Sequence, residues 1–207
     1  SYFVWQNHLY IESCIESGVD QEQIHILLYQ PKGKAYNKEW DKLKTFYPKV
    51  NIFVYEDKGV QNLLSVYIPV LRPHILWQHF EAYPELENKV IVYTDSDILW
   101  LKSMNIAPLL GNEKNYVSDA NSYLNYSYFE NKFKEILPEK KELASNRDFI
   151  QELCSIVGID KQVLIDNNLN TGGVQYILKN IPASFWKKVE EDVIKIRIYL
   201  QQINKEF

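Results

Sequence analysis

The run Val90-Ile91-Val92-Tyr93-Thr94-Asp95-Ser96-Asp97-Ile98-Leu99-Trp100 limits the possible folds more than any other segment of the chain. It is too apolar and too β-branched for a strand with one face in water. It therefore predicts a central strand buried on both faces of an α/β sheet. The run ends in two carboxylates one residue apart. Asp95 and Asp97 are costly at such a place unless something cationic neutralises them. Open α/β sheets carry their functional sites at the carboxyl ends of the strands, which is where both residues fall. Two hard oxygen ligands there suit Mg²⁺ or Mn²⁺, with a substrate phosphate completing the shell. The competing reading is a turn in which Asp95 caps the backbone.

A chain of 207 residues is long enough for one domain with a sizeable core. Its net charge of −4 shows no basic excess, and its lysines are scattered. Binding to nucleic acid through backbone phosphates therefore has no electrostatic support. No run approaches the ~18 apolar residues of a membrane span. The segment Ser1-Tyr2-Phe3-Val4-Trp5 has no basic start and no cleavage site, so no signal peptide is expected. Cys14 and Cys154 fall on predicted helices far apart in sequence. Two buried thiols in a reducing, cytoplasmic setting are expected rather than a disulfide. The 15 Tyr, 9 Phe and 5 Trp suit stacking on rings and suit a core equally.

Strand-like and helix-like segments alternate through the first half of the chain. Residues 2–5 read as a short apolar strand. Residues 9–17 follow as a helix, with Ile11, Cys14 and Ile15 on one face and Gly18 placed to end it. Strands at 24–29 and 51–55 flank a helix over 39–47, whose period runs through Trp40, Leu43, Phe46 and Tyr47 and which Pro48 stops. Residues 68–82 read as a helix opened by Pro69 or Pro73, with Leu76 and Phe80 one turn apart. The strand at 90–94 comes next. This alternation predicts βαβ crossovers and a largely parallel sheet.

The second half is less regular. Residues 116–119 read as a strand and 121–128 as a polar, aromatic loop. The charged stretch 132–146, which includes Pro138, reads as a solvated surface insertion. Residues 147–157 and 161–167 read as helices, and 170–178 as a strand or a turn leading into a helix. A long amphipathic helix follows over 182–203, with Phe185, Val189, Val193, Ile196 and Leu200 along one face. No repeat or linker divides the chain, so a single domain over 1–207 is expected.

Four segments, taken in order, resemble the nucleotide-diphospho-sugar transferases, the GT-A glycosyltransferases. They are Phe3-Val4-Trp5-Gln6-Asn7, Arg72-Pro73-His74-Ile75-Leu76, Tyr93-Thr94-Asp95-Ser96-Asp97 and Asn170-Thr171-Gly172-Gly173-Val174-Gln175-Tyr176. The chain is most similar to the family-8-type retaining enzymes and their bacterial and phage relatives, from Phe3 to about Trp186. The resemblance implies a single-domain, Rossmann-like α/β fold with a mixed, mostly parallel central sheet flanked by helices. It implies a metal-dependent hexosyltransferase that moves a sugar from a nucleotide-diphosphate donor, a UDP-sugar first among them, to an acceptor. Mn²⁺ or Mg²⁺ on Asp95 and Asp97 is part of the same implication.

On that reading Val4, Trp5 and Gln6 end the first strand, where a base lies against backbone and an aromatic ring. The Gln6 and Asn7 amides are able to read a uracil edge; Trp5 as a core residue is the plain alternative. Arg72 opens a helix, where backbone N–H groups already favour anions, and is placed to pair with Asp95 or reach the donor. His74 and His79 read as structural histidines. Asp57 follows the third strand and contributes either a loop near the nucleotide or an ordinary turn. Asp119 ends the fifth apolar run and, by the resemblance, meets sugar or acceptor. In the similar enzymes Asn170, Gly172, Gly173 and Gln175 lie under the donor sugar, with amides on its hydroxyls and glycines where the backbone comes close to something. A tight turn explains those glycines equally. Asp95, Asp97, Arg72 and Gln175 are the residues expected to carry the chemistry. A divalent ion, helped by Arg72, stabilises the charge that builds on the diphosphate as the sugar develops oxocarbenium character.

The chain departs from the family at one place. GT-A enzymes commonly take a third metal ligand, often a His, from a C-terminal segment, and here the last histidine is His79. The chain is also short for the fold. Either a C-terminal segment is missing from it, or water, Asp119 or the donor completes the shell. A catalytically inactive nucleotide- or carbohydrate-binding module on the same fold is the alternative. A haloacid-dehalogenase-type phosphatase fits less well, because that class carries Asp-x-Asp on its first strand followed by Gly-Thr or a similar pair. Ile98-Leu99 follow here.

Overall fold

The computed structural model describes residues 1–64, 68–103, 105–120, 123–136 and 147–206. They form two compact units, Ser1–Asn115 with Ile177–Lys187, and Tyr116–Tyr176 with Lys188–Phe207. Each unit is discontinuous in sequence, so no linker marks a boundary between them.

The first unit opens with α1 (Tyr2–Glu16). Residues 2–5, which read as a strand, are its first turn. The buried stripe of Asn7, Ile11 and Cys14 extends back to Val4, which packs on the same core as Ile11. A strand over those residues would break that helical period. Gly18 ends the helix at φ +91°, a left-handed geometry that glycine adopts without strain. Its N–H and that of Val19 close on the Ile15 and Cys14 carbonyls.

β1 (His25–Gln30), α2 (Glu39–Phe46) and β2 (Asn51–Glu56) form the βαβ crossover that the alternation predicts. The strands are parallel, in register from His25↔Asn51 to Gln30↔Glu56. Successive residues take opposite faces of this sheet. Ile26 and Ile52 join Ile11, Cys14, Leu43, Tyr47 and Val50 in one core with α1 and α2. A short helix α3 (Gln61–Leu64) and a 3₁₀ turn at Ile68–Val70 lead into α4 (Leu71–Ala82). His25, Tyr29, Phe53 and Tyr55 meet α4 through ring contacts with His74 and His79.

α4 buries Pro73, His74, Leu76, Trp77, Gln78, His79 and Phe80. A helix covered on so many sides must satisfy its polar side chains internally. His74, fully buried, has Nε2 3.3 Å from the Lys58 N–H and 3.1 Å from Gln78 Nε2. His79 has Nε2 3.0 Å from His25 Nδ1 and Nδ1 2.6 Å from the Tyr55 hydroxyl. Both histidines are held by protein partners.

β3 (Ile91–Tyr93) is shorter and less buried than the 90–94 run predicts. Val90 and Val92 are 40% and 36% exposed, on the face opposite Ile91 and Tyr93. Among the described strands its one neighbour is the strand Gly172–Leu178. It is therefore not a central strand. An all-apolar run looks the same in sequence whether one face or both are covered. Beyond it, α5 (Ala107–Leu110) is capped by a buried lysine: Lys179 Nζ donates to the carbonyls of Leu109 and Asn112.

The second unit contains β4 (Tyr116–Asp119) beside the first five residues of β5 (Gly172–Leu178). Among the described residues the expected single central sheet is replaced by two small ones, β1-β2 and a three-stranded sheet. Helices α6 (Tyr126–Ile136), α7 (Phe149–Val157), α8 (Lys161–Asp166) and most of α9 (Ala183–Glu206) complete the unit. Asp148 and Asp160 cap α7 and α8 by accepting from the Gln151 and Gln162 N–H groups. Residues 132–136 of the expected insertion continue α6, whereas 137–146 lie outside the described residues, as do Asn121 and Ser122 of the expected loop. Cys14 and Cys154 are both buried and unpaired. No helix among the described residues is long and apolar enough to cross a membrane.

Burial, and secondarily the neighbouring His25, lowers the His79 imidazole from 6.5 to about 4. The unfolded chain takes up that proton near the ordinary value, so the folded state loses stability as pH falls from about 6.5 towards about 4 and is unaffected above. His25, Tyr55 and Tyr83 face this ring. We expect urea unfolding free energies at about pH 7 and about pH 4.5 to differ by on the order of 2 kcal/mol more in the wild type than in His79→Gln. Equal pH dependence in the two proteins contradicts this.

Candidate functional site

The chain leaves β3 at Tyr93 and turns at Ser96 and Asp97. Two attachments to α1 hold this segment. The Tyr10 hydroxyl lies 2.6 Å from Thr94 Oγ1, and Ser17 Oγ donates to the Trp100 carbonyl at 3.4 Å. Tyr10 and Ser17 are two turns apart on the helix, about 10 Å. The segment is therefore tied at both ends to one rigid element, and the Trp100 ring packs against the core that α1 covers. Burial pushes the Tyr10 phenol up to about 12, against the opposing effect of its bond to Thr94. It stays protonated across the physiological range.

Arg72 sits in the first turn of α4. Its Nη2 donates to Asp95 Oδ1 at 3.1 Å and Oδ2 at 3.2 Å, and its Nε donates to the Tyr93 hydroxyl at 3.1 Å. Tyr93 in turn donates to Asp95 Oδ1 at 3.4 Å. The guanidinium also lies 5.6 Å from the centre of the Tyr93 ring, within cation–π range. The Arg72 and Asp95 side chains are 23% and 32% exposed. At that depth a carboxylate without a partner is expensive, and removing either member strands the other. Asp97, two residues on, is exposed.

The structure thus brings Arg72 and Asp95 together and adds Tyr93, Thr94 and Tyr10 to them. Tyr93 carried a readable signal, because residues two apart on a strand project to one side. Tyr10 carried none, since its contact spans 84 positions. Asp95 and Asp97 offer hard oxygens of the kind Mg²⁺ and Mn²⁺ accept, and one or two carboxylates plus substrate phosphates form a usual set for such ions. Among the described residues no group of three or more His, Cys, Asp or Glu side chains is assembled for a metal. An ion on these two carboxylates would need the rest of its ligands from outside the described residues.

The other candidates divide between the units. Val4, Trp5, Gln6 and Asn7 lie on α1 rather than at a strand end. Trp5 is 57% exposed, and with Val4, His8 and Phe46 it borders a shallow depression between α1 and α2. Gln6 is half-buried, and Asn7 is buried with Nδ2 donating to the Phe3 carbonyl at 2.9 Å. Asp57 Oδ1 accepts from the Tyr29 hydroxyl at 3.0 Å and from the Val60 and Gln61 N–H groups at 2.9 Å each. Burial raises this carboxyl, and those bonds, with one from Gly59, outweigh it and hold it below the usual range. Asp57 therefore caps the turn into α3.

In the second unit Asp119 ends β4 and is exposed. Asn170 is exposed, bonded through its N–H to the Asn167 carbonyl at 2.9 Å and through Nδ2 to Asn167 Oδ1 at 3.3 Å. The Gln175 N–H donates to Ser118 Oγ at 3.3 Å. Gly172 and Gly173 open β5, and their close approach is to β4. A Cβ on Gly172 would stand 2.3 Å from Val117 Cγ2 and 2.7 Å from its Cβ, and one on Gly173 would stand 2.4 Å from Ser118 Oγ. Packing of the two strands is by itself sufficient reason for both glycines.

Compared with models of known families, with curated proteins and with solved structures, the chain matches none of them.

The two glycines differ in what they tolerate. Ser118 Oγ is able to rotate away from a new methyl group, whereas Val117 Cβ is fixed to the backbone. Gly172→Ala is expected to destabilise the protein by about 1–3 kcal/mol and Gly173→Ala by less. Val117→Ala should recover part of the loss in the double variant, read by urea unfolding as a coupling between neighbours. Additive effects of the two changes contradict the contact.

Proposed function

We propose that this chain is a metal-dependent transferase that takes a sugar from a nucleotide-diphosphate donor, a UDP-sugar first among them. Asp95 and Asp97 hold the divalent ion and Arg72 serves the diphosphate. The observation that carries this reading is the setting of Asp95. It is a half-buried carboxylate at the end of β3, oriented by Arg72 and Tyr93, with exposed Asp97 two residues on in a segment fastened to α1 at both ends. The resemblance of the segments at Arg72–Leu76 and Tyr93–Asp97 to GT-A enzymes supports the same reading, whereas Phe3–Asn7 lies on a helix and lends it none.

The chemistry demands what these residues have. Breaking a sugar–diphosphate bond leaves negative charge on the diphosphate. Arg72 is charged at any working pH and presents planar donors that match phosphate oxygens. The divalent ion, when bound, neutralises the same charge, more in the transition state than in the ground state. Asp97 presents its oxygens at the surface, where an incoming ion is still hydrated. Fastening at Thr94 and Trp100 limits how far Asp95 and Asp97 must reorganise, which is what preorganised stabilisation of developing charge requires.

Calorimetry of UDP binding with and without Mn²⁺ tests the proposal, together with UDP release from a panel of UDP-sugars. We expect UDP affinity to depend on Mn²⁺ and to fall at least about tenfold in Asp97→Ala. UDP binding that ignores both Mn²⁺ and Asp97→Ala sinks the metal site. Metal-dependent binding without release marks a binding module, and phosphate release from simple monoesters marks a phosphatase.

A further inference from the structure

We infer that the outer edge of β1 is a docking edge for an extended strand of another polypeptide, with uncharged side chains, which pairs with the backbone of His25, Leu27 and Tyr29 and widens the β1-β2 sheet.

The register fixes which backbone groups are available. The Asn51 N–H donates to the Ile24 carbonyl at 3.0 Å, and the Asp57 N–H to the Gln30 carbonyl at 3.1 Å. In a parallel pair a residue turns its N–H and its C=O to the same neighbour, and the next residue turns both away. Ile24, Ile26, Leu28 and Gln30 therefore serve β2. His25, Leu27 and Tyr29 turn three N–H and three C=O groups to the opposite edge. Among the described residues β1 pairs with β2 alone, and no other backbone bond reaches those groups. Leu27 and Tyr29 are half-buried, where an unpaired N–H or C=O costs more than it does in water.

The outer edge of β2 is different. Ile52, Val54 and Glu56 point there, and the Glu56 carbonyl already accepts from Gln78 Nε2 of α4 at 3.4 Å. Glu56 also sets a charge at the end of that edge, a common protection against unwanted pairing. β1 has neither device. His25-Ile26-Leu27-Leu28-Tyr29-Gln30 holds no proline, lysine or carboxylate. An edge without such protection is a template for another strand.

Both faces of β1 are already covered. Ile26 and Leu28 pack with α1 on one side, and His25 and Tyr29 meet His79 and His74 of α4 on the other. The approach left open is edge-on and one strand thick. A bare extended segment suits it, because neighbouring strands lie only about 4.8 Å apart. A second copy of β1 would bring helices of its own on both faces. Three N–H and C=O pairs at two-residue spacing match another peptide backbone, the mode of recognition in which a strand is added to a sheet. Such a strand continues both faces, so its side chains alternate between the aliphatic core and the aromatic face under α4. Neither environment suits an unpaired charge.

Amide hydrogen exchange read by NMR, with a synthetic peptide as the probe, tests this. The peptide carries the β2 sequence Asn51–Tyr55, capped at both ends and flanked by lysines for solubility. In the chain alone, the Leu27 and Tyr29 amides should exchange at least about tenfold faster than those of Ile26 and Leu28. The peptide should slow Leu27 and Tyr29 by at least about tenfold and leave Ile26 and Leu28 unchanged. N-methylation of alternate peptide amides should abolish binding in one register and spare it in the other. Leu27→Pro removes an outward N–H and leaves the ladder with β2 intact. It should weaken peptide binding at least about tenfold, where Leu27→Val changes it less than about threefold. No peptide binding, uniformly slow exchange along β1, or binding that leaves Leu27 and Tyr29 fast overturns the inference. So does self-association of the wild type that Leu27→Pro abolishes, because the edge then belongs to a second copy. If Leu27→Pro does not fold, the exchange pattern and the N-methylated peptides decide.

Discussion

Arg72 stands against both oxygens of Asp95 at the end of a strand, and much of the first unit is arranged so that Arg72 is there. Arg72 is fixed by α4, and α4 is fixed by the face of the β1-β2 sheet that carries His25, Tyr29, Phe53 and Tyr55. That face is aromatic and polar, so the helix lying on it carries matching polar groups, His74, Gln78 and His79, in place of a purely aliphatic stripe. The opposite face of the same two strands is aliphatic and meets α1 and α2. Period-two alternation along six residues thus decides which helix brings the arginine and which brings the main core.

α1 joins those two halves. Ile11 and Cys14 face the core, whereas Tyr10 and Ser17 reach the segment that follows β3. A neutral hydrogen bond adds only about 1 kcal/mol to stability, and a buried hydroxyl without its partner costs more than the bond itself adds. Tyr10 is such a hydroxyl, so its bond to Thr94 is better understood as a constraint on position than as a source of stability. The Ser96-Asp97 turn is short enough to inherit that constraint.

The alternation of apolar residues made β1, α2 and β2 legible, because the two faces of each strand meet different helices and α2 turns one face to the core. α9 was legible as a helix, but its buried side carries Trp186 and Glu190 while Phe185 of the expected face is exposed. The pairing open to Arg72 from its place on α4 is the pairing it makes. Two readings failed for one reason: apolar content does not report which partner covers it. Residues 2–5 were greasy enough for a strand, yet Val4 lies in the helical stripe of Ile11, while Tyr2, Phe3 and Trp5 stay exposed. Val90–Tyr93 were greasy enough for a sheet centre, yet Val90 and Val92 face outwards. Tyr10 was invisible as a member of the site, because only tertiary packing brings its hydroxyl to Thr94.

What the glycines explain and what the carboxylate explains are different in kind. Gly172 and Gly173 are accounted for by Val117 and Ser118 alone, so folding is reason enough for them. For the Arg72–Asp95–Tyr93 cluster stability is a weaker reason. A partly buried ion pair stabilises little once desolvation is set against attraction, and apolar side chains of similar volume often do as well or better at such a place. α4 already presents Leu76, Trp77 and Phe80 as buried apolar contacts, so its hold on the protein does not depend on an arginine in its first turn. Where local rules for stability are broken and nothing in the packing compensates, function is the usual cause. On the function proposed above, the charge at the end of β3 is that kind of exception, and the attachments at Thr94 and Trp100 keep it in place.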